Sequence, residues 1–388
     1  MSTPTKGAVP PGQRPNLPVR PELAEVEPYG APHPPVAVPL NVNENPYQPP
    51  PEVIQTILRY VEGAAGTFNR YPDRDFTELR TALVKYLANE SGAADLIVDN
   101  IWAANGSNEV MLHLFQAFGG PGRTALSFDP TYSMYPEYAR DTNTRWVTGQ
   151  RQADFTIDLD QAINQLKDSG ASLLLLANPN NPTGTPVPSD LIDALCQAAR
   201  GQAVVVVDEA YAEFRSPGTP SALSLLAQHP HLVVTRTMSK AFAFAGVRLG
   251  YAAACAELVG YLRTVRLPYH LSTVTQVTAL AGLHHAPVML AQVAHLRQAR
   301  DQLRQDLLEL SLTVPPSAAN FLAVGHFADA GAIWQGLLDQ GVLVRHTGPP
   351  GYLRVTVGTP EQNQAFLSAI AGIIGPTDQV QPPDGGTA

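Results

Sequence analysis

Lys240 stands in TRTMSKAFAFAGVRLGY (235–251), a run dominated by small and apolar residues, eight positions before Arg248. The 388-residue chain holds 25 lysines and arginines, and only four are lysine: Lys6, Lys85, Lys167 and Lys240. An amine that forms a Schiff base must be lysine, because a guanidinium stays protonated and is a poor nucleophile. Lys6 falls among prolines. Lys85 lies on the polar side of a helix-like stretch, TALVKYLANE. Lys167 lies at a helix end, where a cation suits the dipole. Lys240 alone lacks a surface role. Thr237 and Ser239 place hydroxyls beside it, and with Arg248 they suit a phosphate. A poorly solvated lysine near another cation has a lowered pKa, so more of it is neutral and nucleophilic.

Four other stretches carry usable chemistry. Gly106-Ser107-Asn108-Glu109 follows IWAAN and opens a helical pattern. Ser107 reads as its N-cap, and free amides there suit an anion, although ordinary caps look the same. Tyr132, in DPTYSMY, follows an apolar run; it suits stacking on a flat ring, or a place in the core. Asn181, in PNNPTG, suits a side-chain donor or a turn former. Asp208 closes AVVVV and is followed by Glu209, Ala210 and Tyr211. A carboxylate ending a buried run is costly unless partnered, by a protonated ring nitrogen, a helix start or a salt bridge. In combination the five stretches supply a phosphate cradle, a stacking ring, a donor amide, an acid for a ring nitrogen and a Schiff-base amine. That is a contact set for pyridoxal 5'-phosphate (PLP).

The elements that must hold these residues follow from hydrophobic patterning. Apolar runs recur at NIWAANG, RTALSFDP, ASLLLLANP, AVVVVDEAY, HLVVTRT and VRLGYAAA. Helical stretches such as SNEVMLHLFQAF and PSDLIDALCQAAR separate several of them. Short buried strands alternating with helices predict an α/β fold with a mostly parallel central sheet flanked by helices. Ligands bind such sheets beyond the carboxyl ends of the strands, where every candidate stands. The expected organisation is a proline-rich arm (1–39), a large cofactor domain (40–287), a smaller α+β C-terminal domain (288–375) and a disordered tail (376–388). Leu296, Ala299, Leu303, Leu307 and Leu310 share one helical face in the third part. Short strands are expected there around NFLAVGH, GVLVRH and LRVTVGT, with a helix over EQNQAFLSAIAGII.

Bulk composition narrows the function. A formal charge of -9 argues against nucleic acid or an anionic membrane as partner. No apolar stretch approaches ~20 residues, so no membrane span is expected. The N-terminus lacks a signal-peptide core. Cys196 and Cys255 fall in apolar segments far apart and read as reduced thiols, which points to the cytoplasm. No GxxxxGK[ST] phosphate loop and no HExxH zinc spacing occurs, so neither a P-loop nucleotide site nor a metal is expected.

The motifs LNVNENPY (40–47), RYPD (70–73), NGSNE (105–109), DPTYSMY (129–135), NPNNPTG (178–184), VDEAY (207–211), RTMSKAF (236–242), GVRLGY (246–251), ANFLAV (319–324) and LRVTVGT (353–359) resemble those of fold-type I, PLP-dependent class I/II aminotransferases. Within that group the chain is most similar to the histidinol-phosphate branch, over roughly residues 20–373. The resemblance implies that Lys240 carries PLP, Asp208 pairs with the pyridine nitrogen, Tyr211 and Asn181 bond the ring oxygen, and Tyr132 stacks. It gives the phosphate to Thr237, Ser239, Arg248 and the turn at Gly106, Ser107 and Asn108. Tyr71 would reach that phosphate from a second subunit, so a homodimer with shared sites is implied. Arg354 would bind the carboxylate of the amino donor, L-glutamate or 2-oxoglutarate. Tyr29, Asn43 and Arg345 would lie near substrate, histidinol phosphate in that branch. An aromatic-amino-acid aminotransferase and a decarboxylase of a phosphorylated amino acid share the machinery. Ala243, where the family has glycine, Ala104, Asn108 and His270 depart from the pattern. His270 is expected near the substrate cleft.

Overall fold

The computed structural model describes residues 17–375, except Glu25, His33 and Thr347. The expected disordered tail and the first sixteen residues lie outside that range. The described residues fall in two compact units divided between Pro34 and Pro35. The first contains one short 3-10 turn, Pro21–Leu23, with proline at its start and otherwise no regular element. Proline fixes φ and removes a donor, which is why this stretch forms no ladder.

The second unit opens with β1 (Val38–Pro39) and then builds a seven-stranded sheet. Its strands are β2 (Ile101–Asn105), β3 (Thr124–Asp129), β4 (Arg145–Gln150), β5 (Leu173–Ala177), β6 (Val204–Asp208), β7 (Leu232–Thr237) and β8 (Leu249–Ala254). Their order is β2-β8-β7-β6-β5-β3-β4. β8 runs antiparallel to both neighbours and the remaining pairings are parallel. The mostly parallel sheet is therefore present. Six of its strands coincide with the apolar runs of the sequence. β4, RWVTGQ, was not among them. It is an edge strand with exposed ends, so it lacks the continuous apolar run of a strand buried on both faces.

After the sheet the chain forms the long helix Ala286–Glu309. β9 (Phe321–Gly325) then pairs antiparallel with β11 (Tyr352–Thr356), while β10 (Val342–Leu343) pairs parallel with β1. The helix Pro360–Ile373 carries a full capping box from Thr359 and Gln362. Two main hydrophobic clusters result, beside a small one of Phe155, Ala323 and Tyr352. The larger surrounds the seven-stranded sheet; the smaller gathers Leu40, Leu322, Val355 and Ile370. The long helix feeds both, giving Met289, Val293 and Leu296 to the first and Leu303 and Leu307 to the second. Ala299 and Leu310, expected on the same face, are only partly buried. No single helix among the described residues is long and apolar enough to cross a membrane.

Candidate active site

Parallel pairing brings the carboxyl ends of β3, β5, β6 and β7 to one edge of the sheet. Register sets Asp208 beside Ala177 on one side and Thr235 on the other. The Asp208 carboxylate is almost fully buried. Its contacts are hydroxyls and one amide: Tyr135 donates from its Oη (3.0 Å), Thr235 from its Oγ1 (3.1 Å), and the Ala210 backbone N–H joins them. Burial raises the carboxyl to about 6, against the lowering effect of these donors. The salt bridge left open for Asp208 is made by its neighbour: Glu209 pairs with Arg236 at 2.8 Å. Tyr132 packs edge-on against Tyr135, with ring centroids 5.4 Å apart.

Lys240 follows β7 and is part-buried. Its Nζ donates to the Val42 carbonyl at 3.1 Å. Its pKa is lowered to about 8, chiefly by desolvation, with Arg354 and Arg248 also lowering it and Glu44 opposing them. Three residues later, Ala243 has φ +53°, a left-handed conformation. That explains the glycine that the family pattern carries at this position. Ala243→Gly is expected to raise stability by up to ~1 kcal/mol, the left-handed penalty for a Cβ less glycine's extra unfolded-state entropy. Urea denaturation of the two proteins measures it; a lower midpoint for the glycine form would count against strain here.

The phosphate-type cradle forms where β7, β8 and the helix Ser107–Phe118 meet. Thr237 Oγ1 donates to Ser239 Oγ (3.0 Å) and accepts from the Ser239 backbone N–H (3.1 Å). Ser107 is not the N-cap that its type suggests. Gly106 caps the helix, with φ +82° and no side-chain cap bond, and Ser107 is its first residue. The reason is crowding: a Cβ on Gly106 would fall inside the Arg248 guanidinium, and one on Gly250 would fall on the Ser107 amide. Arg248 thus lies against the helix start, where the first-turn amides of Ser107 and Asn108 have no intrahelical acceptor. The Asn108 side chain itself is exposed.

A second group meets the first from the C-terminal strands. Arg354, on β11, donates to Asn181 Oδ1 (2.6 Å) and the Asn41 carbonyl (2.8 Å), and lies over the Phe321 ring. Asn43, buried at φ +56°, donates from Nδ2 to Tyr211 Oη (3.0 Å) and accepts from Thr356 Oγ1 (3.1 Å). Arg345 is buried and bridges Arg354 through backbone bonds in both directions. Residues 40–43 therefore reach Thr356, Arg354, Lys240 and Tyr211 in succession.

One expected residue stands outside this cluster. Tyr71 is 79% exposed and stacks on Tyr269 at 4.4 Å. Tyr29 belongs to the first compact unit and is exposed. His270 packs among aromatic rings. It stacks on Trp102 at 5.3 Å, contacts Phe76 and His113 edge-on, and its Nε2 faces the Ala103 carbonyl. An imidazole packs there as an aromatic plate. Tyr135 and Thr235 were missed among the site residues. Tyr135 lay in a quoted motif, and the burial cost of Asp208 was the signal that hydroxyl donors had to surround it.

A family model described as "Aminotransferase class I and II" matches residues 35–370. The chain belongs to the class I and II aminotransferases. This aminotransferase is 53% identical over 375 residues to the histidinol-phosphate aminotransferase of Bifidobacterium longum, covering 92% of this chain and 97% of that one. It is 54% identical over 355 residues to that of Thermobifida fusca, covering 92% and 95%. Its fold is similar to the Sinorhizobium meliloti histidinol-phosphate aminotransferase solved in complex with pyridoxal-5'-phosphate: TM-score 0.79, 24% identity, coverage 87% and 91%. A tetra mutant of Thermus thermophilus aspartate aminotransferase shares the fold at TM-score 0.78 and 23% identity, covering 92% and 99%.

The cofactor of this aminotransferase family is PLP, and the residues on the sheet edge fit it. Asp208 is a buried carboxylate touched by hydroxyls and an amide, which leaves its charge for a cationic ring nitrogen. Lys240 is a desolvated amine near the end of the same sheet edge. Arg248, seated on Gly106 above a helix start, with the Thr237 and Ser239 hydroxyls, forms an anion cradle.

Proposed function

We propose that this aminotransferase interconverts L-histidinol phosphate plus 2-oxoglutarate and imidazole acetol phosphate plus L-glutamate, by a ping-pong reaction in histidine biosynthesis. The observation that carries this reading is identity above 50%, over nearly full length, to proteins of that name. PLP, when bound, supplies an electron sink for the carbanion left when a substrate loses its α-proton. Lys240 is the amine that carries it. Lys240 Nζ would take the α-proton and later deliver it, a role that its pKa, lowered to about 8, suits. Asp208 keeps the ring nitrogen protonated. Tyr135 and Thr235 aim the carboxylate. Tyr211 and Asn181 hold the ring oxygen, and Tyr132 covers the ring face.

Thr237, Ser239, Arg248 and the amides at Gly106, Ser107 and Asn108 hold the cofactor phosphate. Arg354 binds the donor carboxylate, its fork steered by Asn181 and the Asn41 carbonyl. Arg345, Asn43 and Tyr29 contribute to the substrate side. Tyr71 completes the phosphate site of a second copy of the chain, a role its exposure supports, so the enzyme works as a homodimer. The proposed division is a large domain, 40–287, and a small one, 288–375; the two main hydrophobic clusters follow it only in part, since Met289, Val293, Leu296 and Phe321 join the larger and Leu40 joins the smaller. The enzyme works in the cytoplasm.

The test is a half-reaction screen. The PLP form is mixed with single amines and its absorbance followed. Conversion is expected with L-histidinol phosphate and L-glutamate, and at least about a hundredfold more slowly with phenylalanine, which offers no phosphate to a site built for one. Equal or faster conversion with phenylalanine would replace this reading by an aromatic aminotransferase. Carbon dioxide release would replace it by a decarboxylase.

A further inference from the structure

Behind the site lies a buried charge cluster centred on Arg236. Arg236 sits between Thr235 and Thr237 on β7, so strand alternation points it away from them, to the other face of the sheet. It is 1% exposed. Its Nε and Nη2 both donate to Glu209 Oε2, at 3.0 and 2.8 Å. Nη1 donates to Glu90 Oε2 (2.7 Å), and Nη2 to the Ser91 and Ser221 hydroxyls (3.0 Å each). Glu213 lies 3.6 Å away. Glu209 also accepts from Ser221 Oγ (2.6 Å) and the Ala222 amide (2.8 Å).

Replacing such a buried ion cluster by apolar side chains is often neutral or stabilising, so stability alone is a weak account of it. What a guanidinium supplies is a rigid fork. This fork ties the residue after Asp208 to the residue between Thr235 and Thr237, at the point where β6 and β7 present the site.

We propose that Arg236 is a positioning residue for the cofactor. By clamping Glu209 from behind the sheet, it fixes the direction in which Asp208 and the Thr237–Ser239 hydroxyls face the ligand. The inference rests on the proposed placement of PLP against Asp208. It has an electrostatic consequence. Asp208 is faced by Tyr135 and Thr235 on one side and, through the backbone, by Glu209 on the other; burial raises its carboxyl most, and Glu209 adds to the rise. Arg236 offsets Glu209. The other groups around Arg236 are Glu90 and Tyr86 of the helix Thr77–Ser91, Glu213, and Tyr251 of β8, with Arg215 paired to Glu90.

The experiment compares holoenzymes carrying Arg236→Met, Arg236→Lys, Glu209→Gln and Asp208→Asn, by PLP dissociation constant and by the pH at which PLP is released. Arg236→Met is expected to weaken PLP at least about tenfold and to move the release midpoint upward, because Glu209 is left uncompensated. Arg236→Lys keeps the charge and is expected to restore the midpoint, with part of the affinity still lost. Glu209→Gln is expected to move the midpoint the opposite way, downward. Should Arg236→Met fail to fold, the Lys and Gln variants carry the test. A lowered melting temperature with parental affinity and midpoint would overturn the proposal, as would Arg236→Met and Glu209→Gln shifting the midpoint in the same direction. Asp208→Asn separates the two readings: if it binds PLP like the parent, the placement of PLP fails; if it is defective while the Arg236 variants are normal, only this inference fails.

Discussion

Asp208→Asn is expected to make the cofactor-free protein more stable and the holoenzyme nearly inert. Burial raises the Asp208 carboxyl from 3.8 to about 6. Between those values the folded protein holds a proton that the unfolded chain has released. Stability therefore falls as pH rises through that window, and the deficit is complete above it. Two pKa units correspond to about 3 kcal/mol. The amide carries no such charge, so above pH 6 the cofactor-free variant should melt higher than the parent, and below about pH 4 the two should converge. The holoenzyme should behave in the opposite way. Removing one member of a buried charge pair costs about 2–5 kcal/mol, so turnover should fall by roughly thirty- to several-thousandfold. Melting curves of the cofactor-free proteins at pH 4 and 7.5, with kcat, check both halves. A variant less stable than the parent at pH 7.5 would mean that Asp208 is already paired without PLP.

Lys240→Ala is expected to abolish multiple turnover and the absorbance of covalently held PLP, while the protein stays folded. One positioned proton-transfer group is worth about 10²–10⁴-fold, and the covalent role adds to it. The parent's amine, lowered to about 8 by desolvation and by Arg354 and Arg248, sets a further signature. The neutral fraction grows as pH rises through 8, so the rate at which the cofactor-free protein captures PLP should climb and level off above that value. Stopped-flow absorbance across pH 6–10 measures it. Normal turnover by Lys240→Ala, or a capture rate independent of pH, would remove Lys240 from its assigned role.

The strand-end chemistry was legible in the sequence because a parallel sheet aligns strand ends whatever its exact order. Asp208 closes an apolar run, and Lys240, Asn181 and Tyr132 each follow one within a few residues, so finding the runs pointed to the residues. Support from across the sheet was not legible. Thr235 reaches Asp208 only through the β6–β7 register, and Tyr135 only through the turn after β3. Backbone acceptors were invisible for a different reason: every residue has a carbonyl, so nothing marks Asn41 or Val42 as the partner of Arg354 or Lys240. Residue type misled at Ser107, where the space beside Arg248 demanded glycine one position earlier. At Ala243 the puzzle was legible and its cause was not, since a positive φ appears only once the turn is built.

The stitching of residues 40–43 also sets a timetable. Asn41 is held by Arg354, 313 positions later, and Asn43 by Thr356 across the same span. A chain made from its N-terminus at about 5–20 residues per second keeps Asn41 waiting roughly 15–60 s for that partner. Lys240, Asp208 and the anion cradle are all synthesised before it. The chain's own residues for the cofactor end are therefore made well before those of the substrate end, and residues 40–43, made early, are among the last to settle.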